Sequence, residues 1–387
     1  MSEEYRRAAD WLESQTRSGR PRGPQRAREL LRALGLKTPE TRFVHVVGTN
    51  GKGSVAAYLE AAFEHAARGG AFLSPHLVSL RERVRCSGEL VSEDEVAGYV
   101  ARVRGLRLAE PPAFFDLMLG LALDCFARRG VSWAALEAGV GGASDATMAV
   151  DAGIAAVVLT NVGPDHLQTF GGCAALARDK ARAARPGVPL VTAATGEALA
   201  VVRREAALVG APLFVYDPSD PLFKLPAAPA LAGGFQRENA ALAAAALRLA
   251  GFSDEAVSAG LRGASLPGRM QRLVVDGVEV ILDGAHNPPA ALALARELAG
   301  RRFHLLFGAH ERKAVLQTLE PLAAGAASVT LTWPLSGPPA GGGWRFEADP
   351  LIAFDRVRRR AAAKGEPVLV TGSLYLVGRL LSRGLGQ

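Results

Sequence analysis

Three cysteines in 387 residues, at positions 86, 125 and 173, are too few and too scattered for a disulfide framework. They form no C-x-x-C pair of metal ligands either. They read as small buried hydrophobes in a reducing, cytoplasmic compartment. Aromatic residues are sparse, at 6%. No apolar run reaches the roughly 20 residues that a membrane-spanning helix needs, and the alanine-rich stretch Ala240–Ala250 is interrupted by Arg248. The opening MSEEYRRAADWLE is acidic and amphipathic, without an apolar signal core, so neither a secreted nor a membrane protein is expected. Lysine is rare: six residues, the rest of the 45 basic side chains being arginine, within a net charge of +7. The arginines form no run and do not interleave with aromatics, so nucleic acid is not an expected partner. Their excess reflects genome composition, or suits an anionic ligand that guanidinium forks can hold.

What is present is an ordinary globular composition, 49% apolar and 21% charged, in a chain long enough for two or three domains. The periodicity alternates. Short apolar runs at Phe43–Val47, Trp133–Leu136, Ala155–Leu159 and Leu190–Thr192 read as buried strands. Helical patterns fall at Phe115–Arg128, Cys173–Arg185 and Asn239–Ala250, with another from Val55. The pattern restarts with strands at Val278–Leu282, Phe303–Phe307, Val329–Leu331 and Val368–Val370, and a helix running through Leu298. Such alternation predicts an α/β protein with mostly parallel sheets. The Gly/Pro stretch Gly263–Arg269 divides it into residues 1–266 and 267–387, and Gly337–Gly343 reads as a surface loop.

Polar motifs recur where the strands end, and in parallel sheets that is where ligands bind. Val46–Ser54, VVGTNGKGS, follows a strand and opens a helix. Its glycines let amide N–H groups converge on phosphate oxygens, Lys52 supplies a point charge, and Ser54 can ligate Mg²⁺. An extra residue, Gly53, separates Lys52 from Ser54, so the common G-x-x-x-x-G-K-[ST] spacing is not met. Glu137 in LEAGVGG suits a nucleotide-bound Mg²⁺, though a surface glutamate reads the same way. Asp165 and His166 follow the third strand, where the histidine either ligates metal or satisfies carbonyls. Lys180, beside Asp179 on a helix, reads as a solvated charge. Asp283, His286 and Asn287 share a turn that either binds a ligand or caps the next helix. Asn239 reads as a helix cap.

Taken in order, GTNGKGS, SPHL with ERV, LEAGVGG with SDAT, DH, LPGR, DGAHNP and GSLY resemble the folylpolyglutamate synthase/dihydrofolate synthase family of the Mur ligase superfamily. The resemblance runs from about Arg20 to Arg379. It implies a phosphate-loop N-terminal domain and a smaller Rossmann-like C-terminal domain. It implies that ATP phosphorylates the carboxylate of a folate or dihydropteroate, and that the amino group of L-glutamate displaces the phosphate. Residue by residue, it implies ATP contacts from Asn50, Gly51, Lys52, Gly53, Ser54, Asn239, Arg269 and Asp283. Metal ligands would be Ser54, Ser74, Glu137 and His166. Lys180 would be carbamylated and catalytic with Lys52 and His286. Arg83, His286 and Ser373 would serve the glutamate side, and Phe115, Asp116, Asp145 and Ala146 the pterin side. A monomer is implied.

The family pattern is not met everywhere. Ala143 and Met148 stand where the pattern has Arg and Asn, Asp179 stands where it has Glu, and Arg312-Lys313 stands where it has Asp-Lys. Two other readings stay open: a Mur-type ligase acting on a cell-wall precursor, and a phosphate-loop ATPase that forms no amide.

Overall fold

The computed structural model describes residues 2–15, 23–36, 40–164, 170–310, 314–339 and 343–385. Asp165, His166, Arg312 and Lys313, and part of the loop 337–343, lie outside them. The chain divides into two compact units, Met1–Ala230 with Arg237–Ser265, and Leu231–Gln236 with Leu266–Gln387.

Within the first unit the described strands are β1 (Arg42–Val47), β2 (Gly69–Phe72), β3 (Val84–Cys86), β4 (Glu89–Leu90), β5 (Trp133–Glu137), β6 (Ile154–Leu159), β7 (Leu190–Thr192) and β8 (Leu213–Val215). They form one sheet in the order β4-β3-β2-β5-β1-β6-β7-β8. It is parallel from β2 to β8, with β3 and β4 added antiparallel. The sequence dictates this. Strand β1 reads RFVHVV and is buried at every position after Arg42, as a strand covered on both faces must be. Strand β3 turns back into β4 through Ser87 and Gly88, both with left-handed φ, the backbone that a tight hairpin needs.

Strand β1 pairs in parallel with β5 on one side and β6 on the other. The chain leaves β1 through helix Lys52–Ala66 to reach β2, beyond β5, and later crosses to β6. The connections therefore diverge at β1, which opens a crevice at its carboxyl end.

The second unit holds β9 (Gln271–Val275), β10 (Val278–Leu282), β11 (Phe303–Phe307), β12 (Ala326–Leu331), β13 (Arg345–Phe346) and β14 (Val368–Thr371), in the order β13-β12-β11-β14-β10-β9. Only β9 runs antiparallel, as the partner of β10 in a hairpin. Its core is built from Ile281, Leu305, Phe307, Leu319 and Leu369. Both units bear out the α/β, mainly parallel expectation.

Three local expectations need correction. Asn239 does not open its helix but lies one turn inside helix Gln236–Leu249. Helix Cys173–Ala181 ends before Arg185, because Pro186 disfavours helical backbone at the residue before it. Cys86 and Cys125 are buried free thiols with sulfurs 2.9 Å apart, but Cys173 is exposed at the start of its helix. Among the described residues, no helix is long and apolar enough to cross a membrane.

Candidate active site

The loop after β1 is held closed by its neighbours. Gly51 takes a left-handed φ of 85° and leads into helix Lys52–Ala66, three residues earlier than the apolar pattern suggests. A Cβ at Gly51 would come within 2.2 Å of Asn239 Oδ1, and one at Gly48 within 1.9 Å of Thr160 Oγ1. Both positions therefore demand glycine for close approach as well as for backbone freedom. Thr160 Oγ1 donates to Asn50 O at 2.6 Å, and Asn161 Oδ1 accepts from Asn50 N at 3.0 Å. Thr49 Oγ1 accepts from Gly163 N at 3.0 Å. The Lys52 ammonium donates to the carbonyls of Gly48 and Thr49, at 3.2 Å each. Lysine thus folds back over a glycine loop at the amino end of a helix, where amide dipoles favour an anion. Gly53 and Ser54 are buried in the first turn of that helix.

Lys180 overturns the solvated reading. It is buried at 4% exposure, and its Nζ donates to Gly48 O at 2.7 Å. Its helix is clamped by Asp179, whose carboxylate accepts from Gly142 N at 2.8 Å, Ser144 N at 3.1 Å and Ser144 Oγ at 3.0 Å. A Cβ at Gly142 would stand 2.6 Å from Lys180 Cα, so the glycines after β5 let this helix approach.

Glu137 ends β5 and is 3% exposed. Burial overturns its surface reading as well. Its Oε2 accepts from Ser74 N at 2.9 Å, so Ser74 and Glu137 meet beside the crevice.

Of the residues expected on the substrate side, Phe115, Asp116 and Arg83 lie around the start of helix Phe114–Arg129. Phe115 packs on Phe72 at 5.2 Å between ring centroids, and a Cβ at Gly139 would strike its ring. Asp116 is buried; its Oδ2 accepts from Ala113 N at 2.8 Å and Arg26 Nε at 3.3 Å. Asp116 thus serves as a helix cap and ion-pair partner, work that would occupy it whether or not a substrate binds. Arg83 lies 5.0 Å over the Phe114 ring, and its Nε donates to His76 Nδ1 at 2.9 Å. Burial, and then the charge of Arg83, push the His76 imidazole down to about 4, which keeps it neutral and able to accept. Asp145 takes three hydrogen bonds: Val140 N at 2.9 Å, Thr147 N at 2.9 Å and Thr147 Oγ1 at 2.7 Å. Burial raises its carboxyl above the usual range, while those bonds and the charge of Lys52 pull it back. Ala146 is buried in the 3₁₀ turn that Asp145 caps.

In the second unit, Asp283 leaves β10 and fixes both the exit of that strand and the entry to β9. Its Oδ2 accepts from Met270 N at 2.9 Å and its Oδ1 from Ala285 N at 2.8 Å. Burial raises its carboxyl, opposed first by Arg269. Arg269 crowds Gly284, where a Cβ would sit 2.3 Å from its Nη1. His286 Nδ1 lies 2.8 Å from Gly284 O; a carbonyl only accepts, so Nδ1 carries the proton. Asn287 caps helix Pro288–Glu297 through Ala290 N at 3.1 Å, so the capping reading holds for it. Ser373 follows β14 and caps helix Leu374–Leu381 through Tyr375 N at 3.1 Å. The Gly372 amide donates to Ala285 O at 2.9 Å, tying the two loops together. Arg269, Asp283, His286 and Ser373 are thus gathered at one sheet edge.

Sequence alone assigns no role to Thr160, Asn161, Asp179 or Thr147. Each acts through bonds to segments many residues away, which no local pattern reveals. Among the described residues, no cluster of three or more His, Cys, Asp or Glu could by itself hold a metal ion.

Comparison with known proteins gives these loops a context. Residues 268–374 match the Mur ligase, glutamate ligase domain. The Bacillus subtilis dihydrofolate synthase/folylpolyglutamate synthase is 30% identical over 98% of this chain and 99% of its own. A probable bifunctional folylpolyglutamate synthase/dihydropteroate synthase of Haloferax volcanii is 34% identical over 97% of this chain, which spans 50% of that protein's length. The structure of Escherichia coli FolC in complex with DHPP and ADP superposes with a TM-score of 0.83 at 28% identity, covering 98% of this chain and 97% of the other. The chain is an ATP-dependent ligase that belongs to the folylpolyglutamate synthase/dihydrofolate synthase family.

Proposed function

We propose that this ligase joins L-glutamate to a pterin-bearing acid, dihydropteroate or a reduced folate, through an acyl phosphate. The observation that carries the reading is the convergence of Lys52 and Lys180 on the carbonyl of Gly48, in a glycine loop at the carboxyl end of β1. The Lys52 ammonium against this loop, with the helix amides behind, suits a triphosphate, and Lys180 beside it adds a second charge or, once carbamylated, an anion able to organise metal.

A carboxylate is a poor electrophile because its oxygen leaves badly. In the first step a carboxylate oxygen of the acceptor bonds to the γ-phosphorus and the bond to ADP breaks. In the second, the glutamate nitrogen bonds to the acyl carbon, phosphate leaves, and the nitrogen gives up its extra protons. Asn50, Gly51, Lys52, Gly53, Ser54 and Asn239 bind the nucleotide in this reading; Arg269 and Asp283 carry the ATP contacts that the family resemblance assigns to them. His286, its Nδ1 proton directed at Gly284 O, takes the catalytic role on the glutamate side that the resemblance assigns to it. The resemblance assigns Arg83, and separately Ser373, to the glutamate side, and Phe115, Asp116, Asp145 and Ala146 to the pterin side.

Magnesium fits the residues present. Glu137 is a buried carboxylate and Ser54 a hydroxyl, and Mg²⁺ asks for one or two such groups besides phosphate oxygens and water. Ser54, Ser74, Glu137 and His166 would hold it, and it would supply neutralisation of phosphate charge. Carbamylation of Lys180 rests on the family resemblance, and is compatible with its bond to Gly48 O because a carbamate nitrogen keeps one N–H. A cytoplasmic monomer working on small molecules completes the proposal, in keeping with free thiols at Cys86, Cys125 and Cys173.

Mass analysis of products from ATP, L-glutamate and either dihydropteroate or tetrahydrofolate tests this. The expected product gains one glutamate residue with at least one of the two acceptors. ATP hydrolysis with no such product from either would overturn it.

A further inference from the structure

His45 is a histidine in the middle of β1, three residues before Gly48, and none of its surface is exposed. Its Nε2 lies 2.8 Å from Thr147 Oγ1, and Thr147 Oγ1 lies 2.7 Å from Asp145 Oδ1. The direction of this chain is fixed by chemistry. The ionised carboxylate only accepts, so the Thr147 hydroxyl donates to it and must itself accept from His45 Nε2–H. The lone pair then sits on Nδ1, which has no partner among the described residues. An apolar side chain at position 45 would avoid that buried orphan, so stability alone does not favour histidine here. Burial, and then the nearby charge of Arg185, hold the imidazole down to about 3, so it remains neutral at working pH and the chain keeps one polarity.

We infer that His45 is a positioning residue for the acceptor side of the site: through Thr147 it holds the Asp145 carboxylate in the orientation that meets the pterin. This deepens the proposed function and rests on its assignment of Asp145 to the acceptor. The far oxygen of Asp145 accepts from Val140 N, on the segment that follows Glu137. The strand that carries the phosphate loop is thereby tied to the segment that shapes the acceptor pocket.

The test compares two polar variants. In His45→Gln the amide nitrogen takes the place of Nε2 and still reaches Thr147; in His45→Asn it takes the place of Nδ1 and does not. KM for dihydropteroate and for tetrahydrofolate, KM for ATP, and melting temperature are measured for both, with Asp145→Ala alongside. The expected result is an acceptor KM raised about tenfold in His45→Asn and near wild type in His45→Gln, with KM for ATP moved less than about twofold in either. Equal acceptor KM values in the two histidine variants, whether both normal or both raised, would overturn the role of His45. Should Asp145→Ala raise the acceptor KM while His45→Asn does not, the acceptor assignment stands and the inference alone fails. An unmoved acceptor KM in Asp145→Ala sinks both.

Discussion

Replacing Lys52 by alanine is expected to lower glutamate-dependent amide formation by about 10³-fold or more, equivalent to roughly 4 kcal/mol of transition-state stabilisation. The lysine has two tasks. Its ammonium spans the carbonyls of Gly48 and Thr49 and keeps the loop curled. With nucleotide it meets charge that builds on the phosphates as the acceptor oxygen attacks. Alanine removes both, so KM for ATP should rise as kcat falls. Fold stability should change little, because Lys52 is only half-buried, whereas Gly53 and Ser54 behind it are packed. Steady-state kinetics with a melting curve decide the matter. Activity within a few-fold of wild type would remove the assignment of this loop to ATP.

The second large effect is expected at Lys180. Alanine there removes a buried Nζ that donates to Gly48 O from a helix anchored by Asp179. Turnover should fall by about 10²-fold or more, since the Gly48 carbonyl loses the shorter of its two lysine contacts and the site a charged group. If the working form is a carbamate, short carboxylic acids such as acetate should restore part of the lost rate to Lys180→Ala and none to Lys52→Ala. A rate close to wild type would leave Lys180 a buried lysine with a structural contact and no part in the reaction.

The case of Lys180 shows where sequence reading stops. Next to Asp179, Arg178 and Arg182 it looks like one more charge on a wet helix. Nothing local announces that Gly141 and Gly142 let this helix pack against the loop after β5, a contact made across 37 residues. What was legible was whatever local chemistry enforces. Short runs rich in apolar residues, such as Phe43–Val47 and Phe303–Phe307, read as buried strands by their length and neighbours, and glycines between such a strand and an apolar helix mark a turn with room for phosphate. Strand β2, with the sequence GGAF, was missed because two glycines hide its β character; it is a strand because β5 and β3 pair with it from both sides. The hairpin of β3 and β4 was missed because its strands are three and two residues long. The roles of Thr160, Asn161 and His45 depend on partners more than 100 residues away. Only the fold could supply them.

In the proposed reaction, ATP activates the acceptor's acid group by taking up one of its oxygens. That step is tested most directly with an acceptor whose carboxylate carries ¹⁸O, incubated with ATP, L-glutamate and Mg²⁺, followed by mass analysis of the released phosphate. One labelled oxygen in the phosphate for each amide formed is the predicted result. Amide formed alongside unlabelled phosphate would contradict the account.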